Sequence, residues 1–74
     1  MAKDILDISD LEWSQVRFRI AAKVVSMRRG DVLEITGTHP SIDAVIRTWC
    51  ERLKKKLISI NPSGKGGMNY QIQF

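Results

Sequence analysis

The last seven residues, Met68-Asn-Tyr-Gln-Ile-Gln-Phe74, alternate without exception between an apolar side chain and an amide. Successive side chains of a strand point to opposite faces. This segment therefore lays Met68, Tyr70, Ile72 and Phe74 on a core and turns Asn69, Gln71 and Gln73 to water. It calls for a sheet with one covered face and one open face.

Periodicity supplies the rest of that sheet and the layer that covers it. Residues 3–8, rich in Ile and Leu, read as a first strand, and Ser9 and Asp10 offer N-cap oxygens. From Glu12 to Met27, the residues Trp13, Val16, Ile20, Val24 and Met27 recur at helical spacing, with Gly30 as a stop. Residues 31–36 alternate as a second strand, and Pro40 suits the first turn of a helix. In that second helix, residues 41–54, the side chains of Ile42, Val45, Ile46, Trp49 and Leu53 line one face. Residues 57–60 form a third strand, and 61–67 are dense in turn formers. The order is β-α-β-α-β-β. Strand–helix–strand crossovers are right-handed, so both helices land on the same side. The expectation is a two-layer α+β sandwich: a mixed four-stranded sheet, both helices on one face, the last two strands an antiparallel hairpin. Trp49 and Ile72 are expected in its core.

Seventy-four residues make a single domain, 1–74, and 43% apolar with 27% charged residues argues against disorder. No apolar run approaches the roughly 18–20 residues that span a bilayer, so no membrane partner is expected. The opening segment carries Asp4 and Asp7 where a signal peptide would be apolar. The single cysteine, Cys50, cannot form an internal disulfide or a thiolate zinc site. These features point to a reducing, cytoplasmic compartment, with no metal and no cofactor.

Charge is uneven along the chain. Residues 1–51 carry seven Lys/Arg and eight Asp/Glu, whereas 52–74 carry Arg52, Lys54, Lys55, Lys56 and Lys65 with no acid. A basic patch at Arg52–Lys56 suits nucleic acid or an acidic partner. The plainer reading is a solvated helix end whose cations complement the macrodipole.

Several blocks stand in a recognisable order: Leu6-Asp7-Ile8, Leu11, Met27, Gly30-Asp31-Val32-Leu33-Glu34-Ile35, Pro40, Asp43, Trp49-Cys50, Leu57 and Tyr70-Gln71-Ile72. In this the chain resembles the TusA/SirA family of small sulfur carriers, over nearly its whole length. The resemblance implies the β-α-β-α-β-β fold and partners such as cysteine desulfurases and sulfur-relay proteins. It also implies a Cys-Pro-x-Pro motif at the start of the first helix, whose cysteine accepts sulfur. Here that motif reads Trp13-Ser14-Gln15-Val16. Tryptophan holds no nucleophile, and the hydroxyl of Ser14 cannot carry sulfane sulfur.

The remaining thiol, Cys50, lies on the border of the second helix's apolar stripe and reads as a half-buried packing residue. Trp13 either plugs the vacated site or, with Ser14 and Phe18, presents a contact surface for a partner. Phe18, Ala22 and Val25 lie opposite the buried stripe, as an exposed patch or as helix-end packing. His39 reads as a loop or cap residue, Gly64-Lys65-Gly66-Gly67 as a hairpin turn, and Asp4, Asp7, Asp10 and Glu12 as solvated charges or caps. The leading expectation is a degenerate, non-catalytic member of the family that works by protein–protein binding in a sulfur-relay or regulatory context. The alternatives are sulfur transfer through Cys50 and an RNA-binding module using Arg52–Lys56.

Overall fold

The computed structural model describes residues 3–74, apart from the side chain of Lys65. Its elements follow the expected order: β1 (Lys3–Asp7), α1 (Trp13–Ser26), β2 (Val32–Gly37), α2 (Ile42–Leu53), β3 (Lys56–Pro62) and β4 (Met68–Gln73). A single 3-10 turn at Gly64–Gly66 closes the β3–β4 hairpin, with the Ser63 N–H donating to the Gly67 carbonyl at 2.9 Å. The strands lie in the order β1-β2-β4-β3. The β1–β2 pair is parallel, and β4 is antiparallel to both its neighbours. The last strand therefore sits inside the sheet, which is why its alternation is the cleanest in the chain.

Register puts Leu33 opposite Ile72 and Ile35 opposite Tyr70. All four are buried, together with Val16 and Ile20 of α1 and Ile42, Ile46 and Cys50 of α2. Both helices thus cover one sheet face, giving the two-layer α+β sandwich. Hiding a side chain such as that of Ile46 contributes about 1.5–3 kcal/mol. The opposite face is mainly polar and paired across strands, with Ile5 exposed beside Glu34. Gln71 donates to Glu34 at 3.1 Å, Asn69 donates to Thr36 at 3.0 Å, and Lys3 lies 3.8 Å from Glu34.

Four local expectations are corrected. Ser9 and Asp10 do not cap α1. The Leu11 N–H closes a turn on the Ile8 carbonyl, which delays the helix to Trp13, and Glu12 precedes it without a side-chain cap. Pro40 lies in the turn ahead of α2 rather than in its first turn. The third strand is longer than 57–60 and its register shifts between Leu57 and Ser59, leaving Ile58 exposed. Such an irregularity on an edge strand hinders pairing with another sheet. Finally, α2 is turned on its axis by roughly 45° from the stripe's centre. Ile42, Ile46 and Cys50 form the buried line, Trp49 is half-buried at its flank, and Leu53 is exposed. Trp49 is therefore an edge residue rather than a core one, whereas Ile72 is in the core as expected.

Candidate functional site

Parallel pairing of β1 with β2 places the starts of both helices at one end of the sandwich and their finishes at the other. At the first end stands Trp13, the opening residue of α1. Its ring stacks on His39, with centroids 4.1 Å apart and planes 16° from parallel. His39 is positioned by its own turn, since its Nδ1 accepts the Ser41 backbone N–H at 3.1 Å. Trp13 is half-buried, packed against the core on one side and against this imidazole on the other. Two stacked rings thus occupy the start of α1.

Sequence reading did not connect His39 with Trp13. The signal was the topology itself: connectors that follow two parallel neighbouring strands emerge side by side. Ser14 and Phe18 are both exposed on α1, Phe18 at 74% of its surface. Val25 is exposed at 86%, and Ala22 is exposed as well. The outer face of α1 is therefore an open apolar strip rather than helix-end packing.

A three-residue network ties the same end together. The Tyr70 hydroxyl donates to Asp43 Oδ1 at 3.1 Å, and Arg47 Nε donates to Asp43 Oδ2 at 2.7 Å. The Arg47 hydrogen bond holds the Asp43 carboxyl below its usual value, against a smaller opposing effect of burial. Burial first, and the Asp43 carboxylate second, push the Tyr70 hydroxyl up to about 12. The network pins α2 to β4.

Cys50 belongs to the core rather than to its border, with 7% of its surface exposed. Burial pushes its thiol up from the ordinary value. The crevice it shares with Ile20 and Ile72 holds about 10 Å³. Both the raised pKa and the lack of room oppose a thiolate that must meet a sulfur donor.

The basic segment divides in two. Arg52 lines a groove of about 540 Å³ on the outer helical face, together with Arg17, Thr48, Trp49 and Leu53. Lys54, Lys55 and Lys56 instead line a second groove, of about 410 Å³, at the helix-finish end. There they meet Arg28 and Arg29 from the α1–β2 turn. Lys55 Nζ also lies 5.4 Å from the centre of the Phe74 ring.

Among the described residues, no group of three His, Cys, Asp or Glu side chains is placed to hold a metal ion. None of the described helices is long and apolar enough to cross a membrane. The chain matches no known family model, and no curated protein matches it at a significant level.

Proposed function

We propose that the chain is a non-catalytic relative of the TusA/SirA-like sulfur carriers that acts by binding a protein partner in a sulfur-relay or regulatory setting. The observation that carries this reading is the Trp13–His39 stack at the start of α1. A helix start suits a reactive thiolate because its free N–H groups and dipole favour negative charge. Here that place holds two rings and no thiol, while the one thiol is buried. Beside the rings, Ser14 and Phe18 give an exposed aromatic surface of the kind that anchors interfaces. The resemblance suggests the partner class, a cysteine desulfurase or another sulfur-relay protein.

The test is incubation with a cysteine desulfurase and free cysteine, read by intact-mass spectrometry and by a binding assay. The wild type should bind the desulfurase and gain no sulfur, and Phe18→Glu should weaken binding at least about tenfold, the weight of a typical interface anchor. Trp13→Cys should recover some sulfur loading. Val16 is left in place in that variant because its side chain is buried. A near-stoichiometric sulfur adduct on the wild type, lost in Cys50→Ser, would sink the reading in favour of transfer through Cys50.

A further inference from the structure

The groove at the helix-finish end gathers five cations from two turns that are far apart in sequence: Arg28 and Arg29, and Lys54, Lys55 and Lys56. Among the described residues none of the five makes an ion pair; the ion pairs are Lys3–Glu34, Lys23–Asp4 and Arg47–Asp43. The acid next to the cluster, Asp31, accepts the Arg28 backbone N–H at 2.9 Å. The chain's net charge is +4, so five cations in one groove leave the rest of the surface close to neutral. Their fields overlap within the Debye length of roughly 8–10 Å.

The helix dipoles do not account for this cluster. Two helix ends present about one negative charge between them, and each already has a cation in its last turn, Lys23 in α1 and Arg52 in α2. The five lie beyond those turns. Met27 and Phe74, types common at protein interfaces, also line the groove, but its three lysines set it apart from such an interface. Lys is depleted at protein interfaces, whereas phosphates take Arg as a fork and Lys as a point charge. Gln73 also lines the groove. It begins the row Gln73–Gln71–Asn69, opposite Glu34 and Thr36, on the open sheet face. A strand of nucleic acid held by its phosphates at the groove would meet the amides of Asn69 and Gln71, the Thr36 hydroxyl and the Glu34 carboxylate, whose charge Lys3 and Gln71 already engage.

We infer that the groove between the α1–β2 and α2–β3 turns is a binding site for the phosphodiester backbone of a nucleic acid, built jointly by Arg28, Arg29, Lys54, Lys55 and Lys56. Phe74, the one aromatic residue lining the groove, is half-buried beneath Lys55, so recognition is chiefly electrostatic and blind to sequence. This inference does not depend on the family reading. It concerns the opposite end of the molecule.

The test is fluorescence anisotropy with two labelled probes, a short single-stranded RNA of mixed sequence and a DNA duplex of equal length, which tell the two sources of phosphodiester apart. At least one should bind, with log K falling against log salt at a slope of about −3.5 for the RNA to about −4.5 for the duplex when all five cations meet phosphates. Arg28→Gln with Arg29→Gln, and separately Lys54→Asn with Lys56→Gln, should each weaken binding about tenfold and flatten the slope by about 1.4 to 1.8 units. Arg17→Gln with Arg19→Gln removes the same charge elsewhere and should change affinity less than about twofold. Circular dichroism and urea midpoints report whether each variant is folded. The inference is overturned if neither probe binds, if the Arg17/Arg19 control weakens binding as much as the groove variants, or if polyglutamate competes as well as RNA does. The last result would assign the groove to an acidic protein.

Discussion

The two ends of this sandwich handle their polar groups in opposite ways. At the helix-start end the rings and the charged groups have partners within the chain: Trp13 has His39, His39 has the Ser41 N–H, and Tyr70 and Arg47 share Asp43. At the helix-finish end five cations line a groove and none forms an ion pair with a described residue. A small domain gains stability from the first arrangement and little from the second, since exposed cations set close together repel. The difference teaches that the resemblance and the physics point to different ends. The segment Trp13 to Val16, where the chain departs from the family it resembles, lies at the end whose groups pair within the chain, and the cations without an ion pair lie at the other.

The sharpest way to break the comparison is to disturb the packing of the closed end. A methyl group added at Gly37 would stand 2.6 Å from Ile42 Cδ1 and 2.9 Å from Ile8 Cγ1, both in the core. Across the hairpin, a Cβ on Gly67 would stand 2.8 Å from the Gly37 carbonyl, so this corner is close-packed at both glycines. Gly37→Ala should therefore cost about 1–3 kcal/mol. That is a large share of the roughly 4–11 kcal/mol expected for a domain of this length. Urea unfolding followed by circular dichroism measures it, and a loss below about 0.5 kcal/mol would mean that this end is looser than its contacts imply.

At the open end the expected change is smaller and has the opposite sign. Lys54 caps α2 in the left-handed region, with φ 55° and ψ 41°. Its side chain is exposed. A left-handed residue with a Cβ is strained by about 1–2 kcal/mol, part of which glycine gives back through its freer unfolded chain. Lys54→Gly should stabilise the fold by about 0.5–1 kcal/mol. The same change should weaken nucleic-acid binding. A variant that is more stable and binds less would separate the two roles. One that is destabilised would show that the lysine supports the helix end.

How far the sequence told of this contrast depends on the range of the cause. The alternation in β4, the stripe of α1 and the turn at Gly64–Gly67 are written in neighbouring residues, and the structure bears them out. The rotation of α2 is not local. Trp49 and Cys50 are adjacent in sequence, and which of them is buried depends on how α2 sits on Ile72 and Tyr70. Hydrophobicity favoured the tryptophan; packing selected the cysteine, which is small enough to lie under the helix. Of the candidate site, the place of Trp13 at the start of the first helix was legible. Its stacking on His39, and the joining of Arg28 and Arg29 to the lysines, arise only when parallel strands bring separate turns together.

The smallest effect concerns the network that closes the helix-start end, and pH reads it from both sides. Asp43 is held below its ordinary value of 3.8, chiefly by the Arg47 hydrogen bond. A carboxyl lowered in the fold contributes stability above the unfolded value, and that contribution is lost as pH falls through 3.8 toward the folded value. Tyr70 is raised from 10.0 to about 12, chiefly by burial. A hydroxyl raised in the fold contributes stability below 10.0, lost as pH climbs toward about 12. The network should thus hold between these limits and weaken beyond each. Tyr70 is the chain's one tyrosine, so tyrosinate absorbance reports on it alone. Its midpoint should lie near 12 in the native protein and near 10.0 in the urea-unfolded chain. On the acid side, Arg47→Gln should remove part of the drop in urea midpoint seen below pH 3.8. A tyrosine that titrates at its ordinary value while the native circular dichroism persists would show that the hydroxyl meets water, and that this end is as open as the other.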